Sequence, residues 1–302
     1  AQVLAEVLRT DQARLQALQP SSAAAQELKL LTRDYARCVR EQTRLVNQLT
    51  ATLKEYYPRA LEVCEDLTTQ RARAFLRAYP TPEALAALRP KQWQRFARTQ
   101  RWSAAQVATL WTTLQAPQLP VPAHVVRAKA RLVRILVTQL EAAVHAVAEY
   151  REAVTGFFGT LPAAEWATTL PAGHGTTVPT LCAELGDAPG RWASWQHLQG
   201  HAGTVPVTVR SGKYRSIQFR FACNKPLRTA LHQFALCSLQ HSEWARAYYD
   251  RQRARGHRHH AALRALGAKW LKIIFVMWRR HVPYREEHHL ATMARQQLRQ
   301  AA

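Results

Sequence analysis

Acidic residues are the main shortage of this 302-residue sequence: 20 Asp and Glu stand against 42 Lys and Arg, a formal net charge of +22. That excess goes well beyond what solubility requires. It would repel a cationic partner and draw in a polyanion, nucleic acid first of all. The acids present are scattered, with Glu65-Asp66, Glu184 and Asp187 the nearest approach to clusters. A paired-carboxylate metal site, the usual engine of nucleases, is therefore not expected within the chain. Cysteine is scarce as well. Cys38, Cys64, Cys182, Cys223 and Cys237 are odd in number, widely spaced and without a CxxC, a pattern that fits a reduced cytoplasm.

Only 11 residues are Gly while 47% are apolar, which excludes a wholly disordered chain and leaves room for one large core or two ordinary ones. No long hydrophobic run occurs: the most apolar stretch, Leu271 to Trp278, is interrupted by Lys272 and is too short to cross a bilayer. No charged n-region followed by an apolar segment opens the sequence. It begins on Ala1 rather than Met, and Ala1 to Leu8 already has a helical pattern, so the segment is expected to be cut from something longer.

What is present is helical periodicity. Leu28, Leu31, Tyr35, Cys38, Leu45, Leu49 and Tyr56 alternate at three and four residues, with Gln42 and Thr52 in the remaining seam positions, and Pro58 stops the pattern. A second seam runs Val126, Ala130, Val133, Val137, Leu140, Val144, Val147, Arg151, Val154 and Phe158. An intramolecular helical hairpin and an intermolecular coiled coil both satisfy these seams. Between them, Pro80, Pro82 and Pro90 punctuate short helices around Trp93, Phe96, Trp102 and Trp111, and Pro117 to Pro122 reads as a stiff link. After Gly159 the character changes: Gly and Pro punctuation increases, and between residues 201 and 285 there are 17 Lys and Arg against only Glu243 and Asp250.

Several motifs in this basic half bear on chemistry. Leu170-Pro171-Ala172-Gly173-His174-Gly175, followed by helical Val178, Leu181, Cys182 and Leu185 and closed by Gly186, has the outline of a helix-hairpin-helix. Gly173 and Gly175 there would let backbone N–H groups approach a phosphate, although an ordinary Gly-containing turn has the same outline. Val205, Val207 and Val209 alternate with polar residues, as do Ile217, Phe219 and Phe221, so Arg210-Ser211-Gly212-Lys213-Tyr214-Arg215 is expected at the tip of a β-hairpin. A serine on a tight turn beside Gly212 exposes its hydroxyl, and Arg210, Lys213 and Arg215 would offset the charge of a pentavalent phosphorus; Ser-Gly is also common turn chemistry.

Farther on, Asn224 is suited to cap a helix bearing Leu227, Leu231, Phe234 and Leu239, with Pro226 in its first turn. Arg246, Arg251, Arg253, Arg255 and Arg258, interleaved with Trp244, Tyr248 and Tyr249, would supply phosphate contacts and stacking faces, as a solvated basic helix also would. Arg220, Asn224, Lys225 and Arg228, with Gly212 of the turn, join the candidate nucleic-acid contacts. Gly256-His257-Arg258-His259-His260 reads as a basic loop rather than a metal site, since no carboxylate or thiolate stands at ligand spacing. Interleaving of the cations with core-type aromatics also argues against a membrane-surface protein.

The order of these motifs carries a resemblance. Val3-Leu4-Ala5 to Leu8-Arg9-Thr10-Asp11, Leu31-Thr32-Arg33-Asp34, Arg44-Leu45-Val46-Asn47-Gln48-Leu49 and Leu53-Lys54-Glu55-Tyr56-Tyr57-Pro58 come first. They are followed by Ala183-Glu184-Leu185-Gly186-Asp187, Gly203-Thr204-Val205-Pro206-Val207-Thr208, Arg210-Ser211-Gly212-Lys213, Cys223-Asn224-Lys225-Pro226-Leu227-Arg228 and Ala245-Arg246-Ala247-Tyr248-Tyr249. Together they resemble the bacterial insertion-sequence transposase family that joins a DEDD-type acidic domain to a serine-bearing transposase domain. The sequence departs at Ala172-Gly173-His174-Gly175, where Gly-x-Gly is commoner, and at Cys223, where Gly is frequent; neither change removes a reacting group.

The resemblance implies a DNA recombinase of an insertion sequence, acting on DNA in the bacterial cytoplasm, with Ser211 as nucleophile and a covalent serine–DNA intermediate. It implies Mg²⁺ held by four acids of the N-terminal domain, the last two just before the helix matching Ala1 to Leu8, so no metal ligand or cofactor is assigned within this chain. Oligomers joined through the coiled coil are implied too, and for some members a structured RNA that guides the choice of DNA. The expected architecture is mainly α. Residues 1–25 are a remnant of the acidic domain, 26–158 a helical and coiled-coil arm, 159–285 a serine-bearing DNA-binding domain with a small β-hairpin, and 286–302 a C-terminal tail. The alternative is a noncatalytic nucleic-acid-binding or dimerisation fragment of such a transposase.

Overall fold

Helices of very unequal length make up the protein. The computed structural model describes residues 2–12, 19–116, 119–171, 173, 175–188 and 190–301, with backbone alone for 293–294 and 296–301. Ala172 and His174 of the Gly-rich turn, and Pro117 and Gln118 of the Pro-rich link, lie outside the described residues. The chain packs as two compact units, one of residues 34–150 and one of residues 1–33 with 151–302. Mainly α is the fold class found.

The first unit is built on the two seams. Helix α1 (Gln2–Asp11) and the start of α2 (Ala23–Tyr56), up to Arg33, belong to the other unit. From Asp34 on, α2, α3 (Arg59–Val63), α4 (Gln70–Ala78), α5 (Pro82–Ala86), α6 (Pro90–Thr99) and α7 (Ala104–Gln115) lead to α8 (Ala123–Gly159), which stays in this unit up to Tyr150. Leu45, Leu49, Leu53 and Tyr56 of α2 share one core with Val126, Ala130, Val133, Val137 and Leu140 of α8. Over these stretches the seams therefore bury each other within one chain. Pro82 and Pro90 open their helices, where a missing N–H costs nothing. Thr69, Thr81 and Ser103 accept from backbone N–H groups of the first turns of α4, α5 and α7, each cap contributing about 1 kcal/mol. Phe75, Tyr79, Trp93, Phe96 and Trp102 pack as one aromatic cluster, and the Trp93 indole N–H donates to the Val107 carbonyl at 3.0 Å.

The second unit carries the basic half: α9 (Ala163–Ala167), α10 (Thr177–Leu185), α11 (Trp195–Ala202), strands β1 (Val207–Ser211) and β2 (Tyr214–Gln218), α12 (Lys225–Ser238), α13 (Glu243–Ala254), α14 (His259–Arg280) and α15 (Glu286–Ala301). Residues 286–301, expected as a tail, form α15. At the centre is α14, whose Leu263, Leu266, Trp270, Leu271, Ile274 and Phe275 are buried. The most apolar stretch of the sequence thus lies in the central helix of this unit, whose apolar face is covered by its neighbours while Lys269, Lys272 and Val276 stay exposed. Trp270 donates to Ser238 Oγ at 2.9 Å and Trp278 to the Gly186 carbonyl at 2.6 Å, so both buried indoles are satisfied. No helix among the described residues is long and apolar enough to cross a membrane.

Candidate nucleic-acid interface

β1 and β2 pair antiparallel with Ser211 opposite Tyr214, which leaves Gly212 and Lys213 as a two-residue loop. Gly212 has φ +55° and Lys213 does not share the left-handed region, the pattern of a type II′ connection that needs Gly first. The strands are shorter than the alternation suggested: Phe219 and Phe221 follow β2 rather than belonging to it. Directly opposite residues share a face. Ser211 and Tyr214 therefore lie with Val209 and Ser216 on one face, while Arg210 faces Arg215 across the ladder on the other. Ser211, Gly212, Lys213, Arg210 and Arg215 are all exposed, and no hydrogen bond to the Ser211 side chain occurs among the described residues. Two like charges directly opposite oppose pairing unless a counter-anion lies over them.

The other expected contacts divide into inward and outward groups. Arg220 is half-buried and its Nε donates to the Val205 carbonyl at 3.4 Å, closing the hairpin base. Lys225, Arg246 and Arg251 are exposed; Arg251 and Lys269 flank the Tyr248 ring, 6.0 and 5.9 Å from its centroid, beside a cleft of about 530 Å³ between α13, α14 and α15. Arg228 and Arg264 each place a guanidinium 5.1 Å from the centre of the Phe219 ring.

Asn224 points inward. Its Oδ1 accepts from Leu227 N–H at 3.1 Å as the cap of α12, and its Nδ2 donates to Glu184 Oε2 at 2.8 Å and lies 3.2 Å from His201 Nε2. A cap, not a DNA contact, is the role its geometry supports.

Gly173 is buried too. A Cβ there would stand 2.5 Å from the Thr168 carbonyl oxygen and 2.7 Å from that of Leu170, so this glycine is required by packing rather than by approach of a phosphate. Gly175 is exposed, with φ +89° and open space around it. Gly173→Ala is expected to destabilise the unit by about 1–3 kcal/mol through overpacking. Below the lowered melting temperature its DNA affinity should equal that of the parent, and a selective loss of affinity without a shift in melting would assign Gly173 to the interface.

Nothing in the sequence signalled the charge network around Glu184. Glu184, fully buried at the end of α10, accepts a two-pronged pair from Arg33, with Nε at 2.9 Å and Nη2 at 3.2 Å, and lies 3.6 Å from Lys29 Nζ. Burial pushes its carboxyl up, but the hydrogen bonds from Arg33 and Asn224 and the charge of Lys29 outweigh that and hold it below the usual carboxylate range. Asp187 accepts from Ser22 N–H at 3.0 Å, and Arg191 donates to Ser21 Oγ at 3.0 Å. The segment before Asp34 is thereby fastened to the basic unit. His201 packs on Trp192, ring centroids 4.8 Å apart, and burial together with Arg191 pushes its imidazole down, leaving it neutral near pH 7. Among the described residues no three His, Cys, Asp or Glu are grouped to hold a metal ion. His259 contacts the Tyr249 hydroxyl and His260 contacts His232 instead.

Comparison with known proteins decides what this unit belongs to. Residues 164–250 match the family described as Transposase IS116/IS110/IS902, and residues 1–58 match the DEDD transposase family of IS110 elements. Over 281 residues the chain is 31% identical to a mini-circle transposase for IS117 of Streptomyces coelicolor, an alignment covering 90% of this chain and 67% of that protein. The chain belongs to the IS116/IS110/IS902 transposase family.

Other relatives agree. The chain is 30% identical to a 42 kDa protein of insertion element IS900 from Mycobacterium paratuberculosis, covering 91% of this chain and 70% of that one. It is 27% identical to a 43.6 kDa protein of insertion element IS110 from Streptomyces coelicolor, over 92% and 69%. The transposase match at 164–250 contains the Gly-rich turn, the hairpin, Asn224, Arg228 and Arg246; it stops one residue before Arg251.

Proposed function

We propose that this transposase cuts and rejoins DNA through Ser211. The observation that supports this most is the placement of the residue: an exposed hydroxyl at the end of β1, beside a Gly-led turn and committed to no partner among the described residues. Lys213 stands in the loop next to the hydroxyl, and Arg210 and Arg215, on the reverse face, add positive charge to the same ribbon. In the proposed step Ser211 Oγ bonds to a backbone phosphorus as one sugar oxygen leaves, taking over the hydroxyl proton. The serine ester retains the bond energy, and rejoining reverses the exchange with a second sugar oxygen. The cationic surface would stabilise the extra charge of the five-coordinate phosphorus. The side chains present do not fit the Mg²⁺ that the family resemblance implies, and no step is taken through one.

A duplex nicked beside the scissile bond, so that the released end diffuses away, should trap the ester. Peptide mapping should then place the adduct on Ser211; an adduct on any other residue refutes the nucleophile. Absence of duplex binding at moderate salt refutes the DNA reading as a whole. The noncatalytic alternative draws on the lack, among the described residues, of any base hydrogen-bonded to Ser211, and it predicts DNA binding with no adduct from this chain alone.

A further inference from the structure

Helices α12 and α14 approach closely where Gly267 lies against Leu231: a Cβ on Gly267 would stand 3.3 Å from Leu231 Cγ. That approach brings together two ladders of cationic residues at i, i+4 spacing, Arg228 and His232 on α12 and His260 and Arg264 on α14. They run in opposite directions. Arg228 and Arg264 share the Phe219 ring, and His232 Nε2 and His260 Nδ1 are 3.2 Å apart. All four line a cleft of about 340 Å³ with Phe219, and no acidic residue lines it.

A protein rarely gathers four such groups without an anion, because their mutual repulsion works against folding. The cations here stay only partly satisfied: Arg228 Nη1 is buried with no hydrogen-bond partner among the described residues. The histidines show the same tension. Their mutual hydrogen bond requires a lone pair on one ring, so both cannot be charged together. Burial first, then the charges of His260, Arg264 and His259, push the His232 imidazole down. Arg228, one turn earlier on the same helix, adds a further cation to that side.

We propose that this cleft is a second phosphate site of the interface, in which Arg228, Arg264, His232 and His260 hold a backbone phosphate of the DNA away from the reacting one. Phe219 ties the two together, since it follows the last residue of β2 while Ser211 pairs with the first. Five residues from Tyr214 to Phe219 span roughly 17 Å at about 3.3 Å each. That equals about five base-pair steps of DNA at roughly 3.4 Å. The cleft thus grips the duplex several nucleotides from the bond that Ser211 meets and sets which bond that is. His260 and Arg264 lie outside the stretch matched by the transposase family, residues 164–250. The inference rests on the function proposed above in naming DNA as the source of the phosphate and Ser211 as the residue that meets the reacting bond.

The test uses the whole chain and two probes. Inorganic phosphate, followed by imidazole resonances in NMR, should raise the pKa of His232 or His260, and Arg264→Gln should abolish the rise. For duplex DNA, Arg264→Gln and the exposed His260→Gln should each flatten the slope of log affinity against log salt by about 0.9 per lost phosphate contact. Between 50 and 200 mM salt the variants would then lose about 3.5-fold less affinity than the parent. Imidazoles that ignore phosphate, or folded variants that keep the parental slope, overturn the site. A chain whose histidines respond to phosphate but which has no affinity for DNA keeps the site and overturns the proposed function instead.

Discussion

Replacement of Ser211 with Ala is expected to lower strand exchange by at least about 10³-fold in the transposase that carries this chain, while duplex affinity stays within about twofold. The asymmetry follows from what the residue touches. Its side chain is exposed at the tip of a hairpin and makes no hydrogen bond among the described residues, so removing one oxygen costs the fold nothing. It would cost the reaction its attacking atom. Phosphate contacts from Lys213, Arg210 and Arg215 would persist, so binding and its salt dependence should look parental. A binding assay and a strand-exchange assay on the same preparation separate the two quantities. Undiminished exchange by the Ala variant would end the assignment, whereas a joint loss of binding and exchange would make Ser211 a structural residue of the turn.

The largest effect on stability is expected at Glu184. Glu184→Gln retains the shape of the side chain but leaves Arg33 and Lys29 around a buried site without its anion, a change that typically costs about 3 kcal/mol. For a unit of this size that corresponds to a fall in melting temperature of about 6–12 °C. The pH dependence follows from the depressed pKa. The carboxyl of the folded chain ionises below its ordinary value of 4.5, so its contribution is fully present above that value and is lost as the pH falls through the folded pKa. The parent should therefore lose stability more steeply than the Gln variant as the pH falls below the ordinary carboxylate value of 4.5. Scanning calorimetry over that fall in pH checks both statements. Equal melting temperatures at pH 7 would show that Arg33 and Lys29 are solvated well enough to do without Glu184.

Much of the architecture was legible because it rests on local periodicity. The seams from Leu45 to Tyr56 and from Val126 to Leu140 specify two long helices, and Pro82 and Pro90 mark where α5 and α6 begin. The Asn224 cap and the Gly212 turn were legible for the same reason, since each needs only its neighbours. The Glu184 network was not, because Arg33 is 151 positions away and nothing in either segment names the other. Nor was the burial of Gly173, which is set by carbonyls of the preceding turn. The Arg228 and His232 pair and the His260 and Arg264 pair did carry a signal at i, i+4 spacing, but the single residues looked like ordinary members of basic helices. Which face of the hairpin holds Ser211 came only from the register, which separates it from Arg210 and Arg215.

A lone two-stranded ribbon is marginal in water, and this one also sets Arg210 against Arg215. Its amides should therefore exchange quickly with deuterium in the free protein and slowly once a duplex neutralises both arginines. If Ser211 is the nucleophile proposed above, a hydroxyl mounted on such a ribbon would be held in working geometry only while DNA lies over it. The transposase would then carry its own restraint: between encounters the nucleophile has no fixed aim, and stray cuts elsewhere in the chromosome become rarer without any separate inhibitor.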